Sequence, residues 1–154
     1  MAAVQLAAVE VGGDAAAWEA LGFSVADGAI ALANGAIRFT SDVPGVYGLV
    51  TGTPPPSGAH ANGALWLDHV VLTTRSLDEA SARIEAEFGL PQRRIREVGD
   101  MRQAFHRFDR VGDAPGCIVE IVERADADDG WWGLVVVVPD LVALGYEPRP
   151  AVQE

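Results

Sequence analysis

The side chains best suited to chemistry stand in two apolar, strand-like runs. Glu120 lies in Cys117–Glu123, where strand alternation places it on one face with Ile118 and Val122. A carboxylate among apolar side chains costs several kcal/mol unless a metal ion, a proton or an arginine pairs with it. His69 lies in a second such run and could be either a ligand or a hydrogen-bonded core residue. Both are therefore candidates for one polar site, with Glu120 as a catalytic carboxylate.

A third run, Arg102–Phe108, offers two faces that could line a pocket. His106 shares one face with Ala104 and could act there as a general base. Gln103 and Phe105 occupy the other face, and they line the pocket if that face is the inner one. The sequence leaves both alternatives open.

Trp131 and Trp132 stand side by side ahead of an apolar run. Neighbouring residues of a strand point opposite ways, so one of the two belongs to the core. The other is either a pocket wall or the contact of a homodimer. Trp132 is the candidate pocket residue.

The composition excludes several classes of function. A net charge of −11 argues against a nucleic-acid partner, because phosphate binding needs a basic surface. All 11 basic residues are arginine, which excludes Schiff-base lysines and lysine-based phosphate loops, and no nucleotide cofactor is expected. Cys117 is the only cysteine, so no intrachain disulfide can form. The chain shows neither a secretory signal nor a run long enough to span a bilayer, which predicts a cytoplasmic, acidic protein without a membrane partner.

Residues 1–53 have the pattern of a strand, a helix and three further strands. Asp14 is a suitable N-cap for a helix over Ala15–Leu21. Asn34-Gly35 between two apolar runs predicts a type I′ hairpin turn, which needs positive φ at both positions. Residues 54–64 are rich in proline and glycine and form a linker by composition.

Residues 65–124 repeat the same order of elements. Ser76 and Glu79 match a capping box at the start of a helix over Leu77–Phe88. Residues 125–154 add a strand–helix extension with the pattern of a truncated further unit. Strands that outnumber the helices in this way predict an α+β fold.

Three stretches, Leu67-Asp-His-Val-Val-Leu72, Glu87-Phe-Gly-Leu90 and Cys117-Ile-Val-Glu-Ile-Val122, resemble the vicinal oxygen chelate superfamily. Its members include glyoxalase I, the bleomycin-resistance proteins and the extradiol dioxygenases. The resemblance is strong over residues 65–124 and weak over residues 1–53. It implies two βαβββ units that form an open, curled mixed-sheet barrel around a small-molecule pocket.

The resemblance also implies metal ligands in the first and last strands of each unit. His69 and Glu120 match these positions in the second unit. Alignment of Asp14 with Asp78, an offset of 64 residues, places Gln5 opposite His69, in the pocket. The predicted last strand of the first unit, Val46–Thr51, contains no fourth ligand.

Two functions follow from the resemblance. One is a glyoxalase-like small-molecule enzyme, of the lyase, isomerase or dioxygenase kind, that uses a divalent metal ion to stabilise an enolate-type intermediate. The alternative is a metal-free binding protein of the bleomycin-resistance kind, which holds a flat or cationic ligand.

Overall fold

The computed structural model describes residues 2–147, which form two mixed β-sheets and two helices. The strands are β1 (Leu6–Gly12), β2 (Ala29–Leu32), β3 (Gly35–Ser41), β4 (Gly45–Thr51), β5 (Trp66–Thr74), β6 (Arg94–Val98), β7 (Met101–Arg107), β8 (Ile118–Glu123) and β9 (Gly130–Val137), and the helices are α1 (Ala15–Ala20) and α2 (Leu77–Phe88). The predicted α+β class is confirmed. Neither helix combines the length and the apolar character that a membrane crossing requires.

The two sheets share a pairing scheme. The strand order is β2-β3-β1-β4 in the first sheet and β6-β7-β8-β5-β9 in the second. The first half of the chain begins with β1 and the second half with β5. β1 lies between its parallel neighbour β3 and its antiparallel neighbour β4, and β5 lies likewise between β8 and β9. By pairing, β3 therefore corresponds to β8 and β4 to β9, while β6 has no counterpart. The predicted order of elements is confirmed, but the implied equivalence of β4 with β8 is wrong, because order does not fix which strand lies beside the first.

The segment predicted as a C-terminal extension contributes β9 to the second sheet. β9 pairs along β5 and contacts β4, so the two sheets meet at these strands. One buried cluster includes residues of both sheets, among them Leu6, Ile37, Leu67 and Ile121. The helix predicted after β9 is wrong within the described residues, where turns follow and Leu144 N donates to the carbonyl of Leu141. Residues 148–154 of the extension lie outside the described residues.

Both helices begin at the predicted caps. The Asp14 carboxylate accepts from the backbone N–H of Ala16, and Ser76 Oγ accepts from that of Glu79. The backbone N–H of Ser76 donates to Thr74 Oγ1, so the reciprocal half of the predicted capping box is absent from the hydrogen bonds of this turn. α2 ends at Gly89, whose φ of 70° is the left-handed conformation that glycine adopts readily.

The Asn34-Gly35 motif does join two strands, but not as a type I′ turn. Leu32 pairs with Gly35, so the two turn residues are Ala33 and Asn34, and Asn34 does not have a positive φ. Asn34 is buried instead: its amide donates to the carbonyls of Leu67 and Pro115, and its Oδ1 accepts from the N–H of Leu67. A polar side chain that the sequence assigns to a hairpin turn therefore connects the two halves.

Residues 54–64, predicted as a linker, lie against the first half. Ser24 N donates to His60 Nδ1 at 2.9 Å, and His60 Nε2 lies 2.8 Å from the carbonyl oxygen of Ala31. Both nitrogens of this imidazole are thereby used in holding the segment to the first sheet.

Candidate functional site

The second sheet has one face covered by α2 and one face turned away from it. α2 buries Leu77, Ala80 and Ile84 against the covered face. We call the opposite side the distal face, because strand alternation places its residues away from α2. Its side chains are Arg94, Arg96, Gln103, Phe105, Arg107, Ile118, Glu120, Val122, His69, Val71 and Thr73.

The structure brings His69 and Glu120 together on the distal face. β5 and β8 are parallel neighbours, with His69 beside Ile118 and Val71 beside Glu120. His69 Nε2 lies 3.4 Å from Glu120 Oε2, and the two side chains are 25% and 17% exposed. This separation is longer than the 2.7–3.2 Å of an ordinary N–H···O hydrogen bond. The pair is therefore a half-buried contact that is not a short hydrogen bond.

Asp68 adds a second carboxylate to the imidazole. His69 Nδ1 lies 2.7 Å from Asp68 Oδ2. Adjacent strand residues normally point to opposite faces, but β5 has a register shift at Asp68, between Leu67 and His69. The bulge brings the two side chains to the same place. The sequence contains no signal for this bulge, and Asp68 is the site residue that the sequence did not predict.

A neutral imidazole carries one N–H, yet carboxylates lie at both ring nitrogens. If Nδ1–H donates to Asp68, the lone pair of Nε2 faces an oxygen of Glu120. Both contacts are favourable when a proton or a metal ion lies between Nε2 and the carboxylate.

Gln103 and Phe105 complete the surroundings of Glu120. The Gln103 amide donates to Glu120 Oε1 at 2.8 Å, which leaves Oε2 on the side of His69. Phe105 is the cross-strand neighbour of Glu120, and the guanidinium carbon of Arg94 lies 5.6 Å from the centre of its ring. Of the two faces that Arg102–Phe108 offered, this is the one beside Glu120.

The donor set suits a metal ion only in part. Two ligands with bonds of about 2.0–2.2 Å can be at most about 4.4 Å apart, so the 3.4 Å between Nε2 and Oε2 is compatible with one ion. Asp68 takes the position of the outer carboxylate that orients a ligating histidine. Within residues 2–147, however, no group of three or more His, Cys, Asp or Glu side chains is arranged to hold a metal. Solvent or substrate would have to supply the remaining ligands.

Matching register shifts identify the equivalent positions in the first sheet. β1 has its shift at Ala7, as β5 has at Asp68. This match places Ala8 at the position of His69 and, through the parallel pairs, Arg38 at the position of Glu120. Gln5 is not the counterpart of His69, because Ser76 and not Asp78 caps α2 and the register shifts place Ala8 there. The strand that corresponds to β8 is β3 and not β4.

Three predicted residues lie elsewhere. Gln5 donates from Nε2 to the carbonyl of Arg110 at 3.0 Å, before β1 begins. His106 is fully buried on the α2 side, with its ring nitrogens 2.8 Å from Ser81 Oγ and from the carbonyl of Leu90. Trp132 is 74% exposed at a register shift of β9, whereas its neighbour Trp131 packs against the core.

Cys117 and Asp129 have shifted pKa values. Burial, with a smaller contribution from the charge of Asp68, raises the pKa of the Cys117 thiol to about 12. The backbone N–H of Arg75 donates to the Asp129 carboxylate and lowers its pKa. Cys117 is thus a free thiol buried in the core.

No protein-family model, curated protein or solved structure matches this chain.

Proposed function

We propose that the chain is a glyoxalase-like enzyme that acts on a small molecule at the distal face, with a divalent metal ion bound by His69 and Glu120. The observation that carries the proposal is the contact between His69 Nε2 and Glu120 Oε2, with Asp68 on the far side of the ring. The strands that carry the two side chains, β5 and β8, are parallel neighbours, which supports a shared site. A cytoplasmic location belongs to the same proposal.

Each side chain has a defined task in this proposal. Asp68 holds the Nδ1–H of His69, so that Nε2 presents its lone pair toward Glu120. Gln103 fixes Oε1 of Glu120 and leaves Oε2 to bind or to accept a proton from the substrate. Phe105 provides an apolar wall beside the carboxylate. A bound divalent ion would polarise two adjacent substrate oxygens and stabilise enolate-type charge.

Metal titration of the metal-stripped protein tests the proposal. We expect wild-type protein to bind one Zn²⁺ or Co²⁺ per chain in calorimetry, and His69→Ala and Glu120→Gln to weaken binding about tenfold or more. Glu10→Gln is the matched control, because Glu10 is a half-buried glutamate of β1 and its replacement changes the net charge equally. Less than a tenth of a metal ion per chain, or an equal loss in the control, would refute the proposal.

Catalysis is tested separately with the metal-loaded protein. Exchange of the α-proton of small hydroxy ketones with deuterated water, followed by NMR, reports enolate formation directly. We expect Glu120→Gln to abolish exchange and Glu10→Gln to leave it unchanged. Exchange at equal rates in both variants would exclude Glu120 as the base.

A second candidate function is a metal-free binding protein of the bleomycin-resistance kind. The observation that favours it is the first sheet, where Ala8 and Arg38 stand at the positions of His69 and Glu120 and offer no metal ligand. A thermal-shift screen of metal-stripped protein separates the two functions. Stabilisation by organic compounds but by no divalent ion would favour the binding protein, and the opposite result the enzyme.

A further inference from the structure

A cleft of about 610 Å³ opens at one end of the distal face and contains four of the chain's 11 arginines. These residues, which we call the arginine cleft, are Arg93, Arg94, Arg107 and Arg110. Their concentration contrasts with the net charge of −11 on the whole chain. A local positive region on an acidic protein needs a physical explanation, because its own carboxylates are abundant enough to neutralise it.

The carboxylates of the described residues do not neutralise the arginine cleft. Arg75, Arg102 and Arg124 form ion pairs with carboxylates, and all three lie outside the cleft. Asp109 is the acidic residue that lines the cleft, and its Oδ2 accepts from the backbone N–H of Val4. The positive charge of the cleft therefore remains available to a ligand.

Two of the four guanidinium groups are held in place by neutral partners. Arg107 donates from Nε to the carbonyl of Gly116 at 3.2 Å, and Arg110 donates from Nη2 to the carbonyl of Asp113 at 2.9 Å. A carbonyl orients a guanidinium without cancelling its charge. Such preorganisation lowers the entropy that binding has to overcome.

The cleft also has an apolar surface. Phe105, Phe108, Pro115 and Ile118 line it, and Arg94 stacks near the ring of Phe105. Cationic groups around an apolar floor suit a molecule with an anionic group and a flat body. The volume is within the range of about 300–1,000 Å³ that small-molecule sites occupy.

The cleft adjoins the candidate metal pair. Phe105 is the cross-strand neighbour of Glu120, and Ile118 is the neighbour of His69. A molecule seated on this floor would lie beside the two side chains that we assign to chemistry.

We propose that the arginine cleft binds a small organic anion, in which a carboxylate or phosphate group is attached to a flat apolar body. Guanidinium groups bind both kinds of anion through paired hydrogen bonds. The acidic remainder of the chain repels large polyanions such as nucleic acid, so the site selects small ligands. The charge of the cleft thus points to an anion and not to the cationic ligand that the overall composition permitted. The inference is independent of any metal ion, since neither His69 nor Glu120 lines the cleft.

Calorimetric titration of the metal-stripped full chain with 2-naphthoate tests the proposal. Uncharged 2-naphthamide has the same ring system, and it should bind about tenfold or more weakly, because a hydrogen bond to a charged group contributes about 1.5–3 kcal/mol. Titration with 2-naphthyl phosphate shows which of the two anionic groups binds more tightly. Equal binding of naphthoate and naphthamide, or no saturation up to about 10 mM naphthoate, would overturn the proposal.

Charge-matched variants locate the site. Arg93→Gln with Arg94→Gln removes two exposed cleft charges and should weaken naphthoate binding about tenfold or more. Arg83→Gln with Arg124→Gln removes two exposed charges outside the cleft and should change it less than about twofold. An equal loss in both double variants would show that only net charge matters, and would overturn the proposal.

The apolar floor is tested by Phe105→Leu. This variant should weaken binding of 2-naphthoate and leave binding of inorganic phosphate unchanged, because phosphate contacts only the cations. An unchanged affinity for naphthoate would contradict the placement of the flat body. These readouts use no metal, so their failure leaves the metal proposal to its own titration.

Discussion

Replacement of Asn34 by alanine should destabilise the protein more than a turn substitution ordinarily does. The side chain makes three hydrogen bonds, to the N–H and the carbonyl of Leu67 and to the carbonyl of Pro115. Each partner lies in the second half of the chain, so alanine removes a connection between the halves. The backbone of Leu67 has no access to water that could replace the amide, because the residue is fully buried.

The loss in free energy of unfolding depends on how many buried backbone groups alanine leaves without a hydrogen bond. An unsatisfied buried donor or acceptor costs about 1–3 kcal/mol, and alanine leaves both polar backbone groups of Leu67 in that state. Pro115 is only partly buried, so its carbonyl can turn to water. We therefore expect a loss of about 2–6 kcal/mol, a large share of the 5–15 kcal/mol that stabilises a typical domain.

Urea unfolding followed by tryptophan fluorescence measures this loss. Asn62→Ala is the comparison, because Asn62 is also buried but bonds to Leu21 and to the nearby Ala64, outside the second half's core strands. Asn34→Ala should lower the urea concentration at the unfolding midpoint more than Asn62→Ala does. A loss below about 1 kcal/mol for Asn34→Ala would refute the reasoning that its bonds satisfy otherwise orphaned groups.

Three further predictions concern single side chains. Asp68→Asn should weaken Zn²⁺ binding about 10–100-fold in calorimetry, because it removes the carboxylate that orients His69; an unchanged affinity would contradict the role of Asp68. Stability present below pH 9 should be lost between pH 9 and pH 12, by at most about 4 kcal/mol, because the thiol of unfolded Cys117 has an ordinary pKa of 9.0 while burial raises the pKa of the folded one to about 12. Cys117→Ala should reduce this loss in urea titrations. Gly116→Ala should lower the melting temperature sharply, because its Cβ would overlap the carbonyl oxygen of Phe108, whereas Gly133→Ala, with open space around it, should not.

The sequence predicted the elements better than their neighbours in space. Asp14, Ser76 and Gly89 mark the helix ends through local hydrogen bonds and backbone conformations, which depend on a few consecutive residues. The turn at Asn34 was located for the same reason. Its burial was not predictable, because the partners of its side chain come from distant parts of the chain.

At the candidate site, too, the sequence indicated individual residues but not all of their neighbours in space. His69 and Glu120 stand out because polar side chains in apolar runs need partners, and the structure places them in contact. His106 could not be assigned, because Arg102–Phe108 has apolar residues on both faces and only the position of α2 decides which face is covered. Asp68 reaches His69 only through a register shift, which leaves no periodic signal in the sequence.

Register shifts occur at matching positions in both halves, but the two halves differ in the side chains at those positions. β1 and β5 shift at Ala7 and Asp68, and β4 and β9 shift at Tyr47 and Trp132. The backbone arrangement is therefore present twice, while the carboxylate beside the imidazole occurs once. The first half keeps small side chains where the second has Asp68 and His69, and it contributes Asn34 to the strand that carries them. Because Asn34 holds Leu67 directly ahead of the bulge, the first half fixes the start of the segment whose side chains form the site.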